Sequence, residues 1–543
     1  MIRRIATVGG LTLVSRLTGF IRDVVMAAIL GAGPMADAFF VAFRLPNHFR
    51  AIFAEGAFAA AFVPAYARTL EEAGLPAAKL FADQIAAALV TINLVLLAIA
   101  LLFTPEVVGL LAPGLVGDPE RYDLAVALTR ITFPYLALVS LETLFAGVLN
   151  ANNRFAAAAS APVLLNLSVI ATLLLTPYFP DAGHAAAWGV LIAGVAQAIL
   201  LGFDAEAHGF GIRLRMPKLD EPTRKFLKAL GPAILGAGGV QLALFADTLI
   251  ATFLPTGALS ALYYADRINQ LPIGVVGIAV GVVLLPEMSR RLAAGDEAGA
   301  ASAQARGIQL ALLLTVPCAA AAVAIPDLIM RALFARGAFT AADALAAGNT
   351  LAAYSIGLIP FVLLRSFTAP FYARRDTLTP VKAALLAATV NIGLKVVLMG
   401  PLAQVGLALA TSIGAWINLS LLAYFARRQG FAVSGTAIGG PVAKLLIVGV
   451  VFAGALFAGA YGLHQALASM THFRDETALA ILVIGGGVLY FALVAVVLGR
   501  NWFMGLLKDV STAADTDAPA ELDEPDPTDD SAALPDSEPP PKG

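Results

Sequence analysis

The sequence predicts an all-α, polytopic membrane protein of about fourteen transmembrane helices. Two six-helix lobes are related by a parallel repeat, and two more helices follow at the C-terminal end. Three observations carry this reading. Of 543 residues, 59% are hydrophobic and only 13% charged, against roughly 25% charged in an average soluble domain. The mean hydropathy of +0.83 is not that of a water-soluble globule. Apolar runs of about 20 residues, long enough to span a bilayer, recur between short polar breaks and lack the two-residue alternation of a membrane β-barrel.

In order, the spans of the first lobe fall at about 5–30, 36–66, 84–112, 122–149, 160–178 and 184–206. Those of the second fall at about 226–253, 257–288, 304–325, 344–371, 380–400 and 403–426, and two more follow at about 440–463 and 478–500. The implied division is 1–210, 211–430, 431–508 for the last two helices, and 509–543 for a tail. The opening Met1-Ile2-Arg3-Arg4 resembles a signal peptide, but Arg16, Arg22 and Asp23 interrupt its apolar stretch, so it reads as a retained first helix. The tail, rich in Asp, Glu and Pro (Asp523-Glu524-Pro525-Asp526-Pro527), reads as disordered because it has too little apolar surface to bury. The lone Cys318 cannot form an internal disulfide.

Basic residues orient the spans, because basic loops stay on the cytoplasmic side. Arg154, Arg213, Arg215, Lys218, Arg290, Arg291, Arg374, Arg375, Arg427 and Arg428 all fall in loops after even-numbered spans. Both termini are then cytoplasmic, as an even helix count requires. The repeat is faint. Phe40-Val41-Ala42-Phe43-Arg44 before Pro64 and Arg68 matches Tyr263-Tyr264-Ala265-Asp266-Arg267 before Pro286 and Arg290, and Phe145 to Ala151 rhymes with Phe367 to Ala373.

Charge inside the membrane is the informative anomaly. Arg16, Arg22, Asp23, Asp37, Arg44, Arg50 and Glu55 all lie in the first two spans, where a central charge costs about 2.5–3.5 kcal/mol even on insertion scales. These groups are expected to line a shared polar cavity. Arg16 and Asp23 share a helix face, as do Asp37 and Arg44, and Pro46 should kink the second span. Arg267 adds a cation from the second lobe, beside Asp266, Asn269 and Gln270. Arginine's planar fork suits phosphate oxygens, so several around one cavity suggest an anionic substrate such as a diphosphate. The alternative is that the arginines only pair with the nearby acids and hold helices together. A second set, Asp247 with Asn391 and Lys395, reads either as a structural ion pair or as a coupling site. No Gly-rich phosphate loop ending in Lys-Ser/Thr, no paired-histidine zinc motif and no loop large enough for a catalytic domain is present. The expectation is therefore no enzymatic activity, no metal or cofactor, and no nucleic-acid partner.

Several stretches together resemble the MurJ/MviN family of lipid II flippases. They are Ser15-Arg16-Leu17-Thr18-Gly19-Phe20-Ile21-Arg22-Asp23, Ala36-Asp37-Ala38-Phe39-Phe40-Val41-Ala42-Phe43-Arg44-Leu45-Pro46-Asn47, Phe53-Ala54-Glu55-Gly56-Ala57-Phe58, Gly231-Pro232-Ala233-Ile234-Leu235-Gly236 and Tyr263-Tyr264-Ala265-Asp266-Arg267. The similarity runs from about Met1 to Leu507. It implies the fold of the multidrug/oligosaccharidyl-lipid/polysaccharide exporter superfamily and transport of lipid II, the undecaprenyl-diphosphate-linked peptidoglycan precursor, by alternating access. By resemblance, Arg16, Arg22, Asp37, Asn47, Arg50, Ser260 and Arg267 are substrate-binding positions, and the last two helices border a groove for the lipid tail. Gln270 departs from relatives that carry an acid, and Lys395 from cation-binding relatives that would offer an oxygen. The rival readings are a flippase for another polyprenyl-diphosphate-linked saccharide, a drug or cation exporter, and a membrane enzyme acting on polyprenyl phosphates.

Overall fold

The computed structural model of the chain describes residues 2–50, 58–213, 215, 221–431, 435–499 and 501–502. Glu55 and the expected acidic tail lie outside them. Every regular element among these residues is helical. The first half runs α1 (Ile2–Leu30), α2 (Pro34–Arg50), α3 (Ala59–Leu102), α4 (Thr104–Leu111), α5 (Pro119–Thr132), α6 (Pro134–Ala151), α7 (Ala156–Leu174) and α8 (Ala182–Ala207). The second half runs α9 (Glu221–Ala251), α10 (Ala258–Pro272), α11 (Ile278–Ala293), α12 (Glu297–Ala324), α13 (Pro326–Phe334), α14 (Ala341–Ser355), α15 (Leu358–Ala373) and α16 (Leu378–Arg428). The chain continues with α17 (Gly435–Ala466) and α18 (Arg474–Leu498).

Among the described residues, nine helices are long and apolar enough to cross a bilayer. Two of these join a pair of segments across a break: α3 at Gly74 (φ 76) and α16 at Ala403 (φ 47), just after Pro401. Those breaks fall where the sequence separates its second span from its third and its eleventh from its twelfth, an arrangement consistent with fourteen crossings. Large apolar side chains such as Leu102, Phe203, Val450 and Val496 point outward, where lipid rather than water is their solvent.

Local chemistry starts and stops the helices. Asp118 caps α5, accepting the Arg121 N–H at 3.3 Å ahead of Pro119 at the first helical position, where the missing N–H costs nothing. Asp181 caps α8 and Asp296 caps α12 in the same way, and Thr340 with Asp343 forms a reciprocal capping box on α14. The kink expected at Pro46 is replaced by a helix that continues through it to Arg50. Pro46 cannot donate to the Ala42 carbonyl four residues back, and the hydroxyl of Thr132 on α5 donates to that oxygen at 2.7 Å instead.

The parallel repeat appears as matched neighbours. In the first half α7 packs on α1, α5 on α2, and α6 on α3 and α8; in the second, α16 packs on α9, α14 on α10, and α15 on α12 and α16. The short helices α4 and α13 hold equivalent places, and Pro105-Glu106 and Pro326-Asp327 at their starts are a repeat signal that the longer apolar helices obscure. α17 packs on α12 and α18, and α18 reaches α13.

Candidate functional site between the two halves

The halves touch at both ends of the bundle and leave a cavity between. At the end away from the basic loops, the turn after α1 meets the segment before α14: the Ala338 N–H donates to the Ala28 carbonyl at 2.7 Å. Gly31 (φ +68) and Gly337 (φ +59) make this approach possible, since a Cβ at either would stand 2.7 or 2.2 Å from a backbone oxygen of the other strand of chain. Beside them, the fully buried Asp37 of α2 caps α10 of the opposite half. Its carboxylate accepts the Gly257 N–H at 2.7 Å, the Ser260 N–H at 3.0 Å and the Ser260 hydroxyl at 2.7 Å, with Arg121 Nη1 3.6 Å away. At the basic end, Phe226 of α9 packs edge-on against Phe58, Phe62 and Phe81 of the first half.

The cavity between these contacts measures 530 Å³, and both halves line it. Its cations are Arg44 from α2, Arg267 from α10 and Lys395 from α16; its acids are Asp247 from α9 and Asp266 from α10. Each cation faces a carboxylate. Lys395, 2% exposed, forms an ion pair with Asp247. Arg44 and Arg267 both exert attraction on Asp266, which also accepts Gln270 Nε2 at 2.5 Å.

Arg267 stands at the edge of a buried network that joins the halves. Its Nη2 donates to the Tyr263 hydroxyl at 3.0 Å, its guanidinium lies 5.0 Å from the Tyr263 ring centre, and its Nε is 3.1 Å from Asp23 without aiming an N–H at it. The Tyr263 hydroxyl donates to Asp23 at 3.0 Å, and its ring stacks on Phe40 at 4.0 Å. Arg22 donates to Asp23 at 2.7 Å and to Asn166 at 3.0 Å. One carboxylate thus serves two guanidiniums, an arrangement that only a shared, water-poor pocket makes strong.

The candidate residues therefore divide. Asn47 and Arg267 line the cavity, as do Asp247 and Lys395 of the second set. Arg22 is buried in the network behind it. Asp37 and Ser260 meet each other in the inter-lobe cap, whereas Arg44, on the same helix face as Asp37, lines the cavity that Asp266 also lines. Arg16 is exposed on α1, its guanidinium against Gly274 in a π-helical turn (Ile273–Gly277) after α10. Asn391 packs against Gly414 across the break in α16 rather than into the cavity. Arg50 ends α2, and its side chain lies outside the described residues. Sequence reasoning missed Asn166, Tyr263 as a hydrogen-bonding hub, and Arg121; only Arg121 had a local signal, the Asp-Pro-x-Arg helix start.

Two repeated helical halves that close on a charged cavity inside an apolar bundle define a membrane transport protein. The chain belongs to the lipid II flippase MurJ family, whose family model matches residues 26–494. It is 41% identical over 498 residues to a probable lipid II flippase MurJ of Rhizobium meliloti (strain 1021), covering 91% of this chain and 93% of that one. It is 35% identical over 435 residues to the lipid II flippase MurJ of Burkholderia cenocepacia, covering 79% and 84%. Among solved structures, a lipid II flippase MurJ in an inward closed conformation superposes with a TM-score of 0.75 at 23% identity, covering 91% of this chain and 99% of that one. An inward-facing multidrug resistance MATE family transporter of the MOP superfamily superposes at 0.62 with 15% identity, covering 76% and 94%. These two likenesses are of fold.

Proposed function

We propose that this chain flips lipid II, a polyprenyl-diphosphate-linked cell-wall precursor, from the cytoplasmic to the outer leaflet of the inner membrane. The observation that carries the reading is the set of three cavity cations, Arg44, Arg267 and Lys395, drawn from both halves, with Arg267 and Lys395 each paired to a carboxylate and Arg44 sharing the cavity with Asp266. A diphosphate entering the cavity competes with those carboxylates for the same donors, so the headgroup is bound by exchange of partners rather than by exposure of bare charge. Bidentate arginine contacts favour that exchange. Carrying the headgroup through hydrocarbon without such a cavity would cost several kcal/mol for each unsatisfied polar group. The cap of Asp37 on α10 holds one end of the halves shut; its release, with closure at the basic end, gives alternating access. In this reading residues 1–210 and 211–430 rock against each other, helices α17 and α18 carry a groove for the lipid tail, and both termini are cytoplasmic. No bond in the substrate is made or broken.

The test is depletion of the protein in a bacterium that depends on it. Lipid II should accumulate in the inner leaflet, out of reach of an externally added probe, and the wild-type gene should restore access while Arg267→Ala should not. Unchanged outer-leaflet lipid II on depletion would sink the proposal.

A further inference from the structure

A second pocket lies away from the central cavity and shares no residue with it. It measures 260 Å³ and sits between α12–α13 and α17–α18, at the end of the bundle opposite the basic loops. Asp327 and Arg331 of α13 line it, with Arg474 and Asp475 at the start of α18. Its outer wall is apolar, and Phe457 and Tyr461 there are each 66% exposed on the lipid side. The charged residues stand where helices begin and end, the level at which polar headgroups meet the apolar spans.

The charges of the rim do not fully satisfy one another. Arg331 Nη2 is 3.2 Å from Asp327, and Arg331 Nε is 3.5 Å from Asp475. Arg474 Nη2 donates to the backbone carbonyl of His464, yet the Nε atoms of Arg331 and Arg474 are both buried without a hydrogen-bond partner. Buried guanidinium N–H groups rarely stay unpaired, and two of them on residues lining one pocket mark the place of an acceptor. That acceptor is not a simple anion, because Asp327 and Asp475 share the rim. Two arginines and two aspartates match a group that carries one phosphate and one ammonium. The ammonium must also donate hydrogen bonds to carboxylates, which a primary amine does and a quaternary one cannot.

We propose that this pocket binds the headgroup of a membrane aminophospholipid of the phosphoethanolamine type. The phosphate takes Arg331 and Arg474, the ammonium takes Asp327 and Asp475, and the acyl chains lie along Phe457 and Tyr461. The lipid is a bound companion of the fold rather than its cargo, and the proposal does not depend on which lipid the central cavity carries.

The experiment uses the purified full chain, mixed with equal amounts of phosphatidylethanolamine, phosphatidylcholine and phosphatidylglycerol of identical chains, and counts retained lipid by native mass spectrometry. We expect retained phosphatidylethanolamine to exceed phosphatidylcholine by about tenfold, in line with charge-assisted hydrogen bonds that choline cannot make. Arg331→Gln with Arg474→Gln removes the donors to the phosphate and should lower the retained phosphatidylethanolamine, while the remaining aspartates keep it above phosphatidylcholine. Asp327→Asn with Asp475→Asn should move the preference to phosphatidylglycerol, since the rim then becomes cationic. Should the charge variants fail to fold, Ala460→Trp fills the pocket and leaves every charge in place. It should abolish the preference while the melting temperature in phosphatidylcholine stays unchanged. Equal retention of the three lipids by the unaltered chain overturns the proposal. So does a phosphatidylglycerol preference in that chain, or an ethanolamine preference that survives Ala460→Trp.

Discussion

Asp37 and Ser260, 223 residues apart, are joined by two hydrogen bonds that make a carboxylate of one half the cap of a helix in the other. A helix N-terminus carries unpaired N–H groups and partial positive charge, so Asp37 satisfies α10 as a local capping residue would, from across the interface. When the halves separate at this end, α10 loses its cap and Asp37 is left facing Arg121.

Asp37→Asn should therefore favour the state open at this end by about 1.5–3 kcal/mol, the worth of hydrogen bonds to a charged group, and Ser260→Ala, which keeps both backbone bonds to the carboxylate, by less. Spin labels at Ala32 and Thr256, on the two sides of the contact, report the separation. The long-distance population should rise in both variants and more for Asp37→Asn. An unchanged distance distribution would show that the cap does not govern opening.

The position of Arg267 depends on its planar fork and on the Tyr263 ring beneath it. Arg267→Lys keeps the charge but loses the fork and its flat contact with the ring, so it should reduce transport about as severely as Arg267→Ala, by about a hundredfold or more. Tyr263→Phe keeps the ring and removes only the shared hydroxyl, and should fall between wild type and Arg267→Lys. Flux of fluorescent lipid II into the outer leaflet of reconstituted vesicles measures the order. Full activity of Arg267→Lys would mean that charge alone suffices.

Lys395 and Asp247 bring a buried ammonium to a carboxylate about a third exposed to the cavity. Lys395→Ala leaves that carboxylate alone and should destabilise the protein by about 1–3 kcal/mol, less than the loss of a fully buried pair because cavity water screens Asp247. Lys395→Met with Asp247→Leu should recover part of the loss. Because the ammonium already occupies the place a metal cation would take beside Asp247, transport should not change when sodium is replaced by potassium or choline. Sodium dependence of the unaltered chain would refute this reading.

Outside the membrane spans, the side chain and backbone N–H of Arg121 hold the Asp118 carboxyl below its ordinary value of 3.8. A depressed folded-state value means that the contribution is present above 3.8 and is lost as pH falls through the folded value. Stability should therefore drop in strong acid, and Asp118→Asn should flatten that part of the profile while changing little of its slope nearer neutrality. Thermal unfolding in detergent across the acid range checks it.

Residues from about Asp515 to Gly543 are rich in Asp, Glu and Pro, and the family match ends at residue 494. Their deletion should leave transport intact. A truncated protein that inserts normally yet fails to transport would assign the tail a role.

The succession of spans, their breaks at Gly74 and Ala403, and the presence of charge in the first two helices were all legible in the sequence. In hydrocarbon each helix must satisfy its own backbone, so apolar length and polar interruption act locally and can be read locally. Partnership was not legible. Helix periodicity puts Asp37 and Arg44 on one face, but Asp37 caps α10 while Arg44 lines the central cavity. It puts Asn391 one turn from Lys395, but Asn391 packs against Gly414 while Lys395 reaches Asp247. Asn166, apolar neighbours on every side in the sequence, becomes the partner of Arg22 only because α7 docks on α1. A periodic pattern tells which face a charge lies on. The charge that meets it across the interface depends on how the two halves dock, a property of their whole surfaces, and only the tertiary structure decides it.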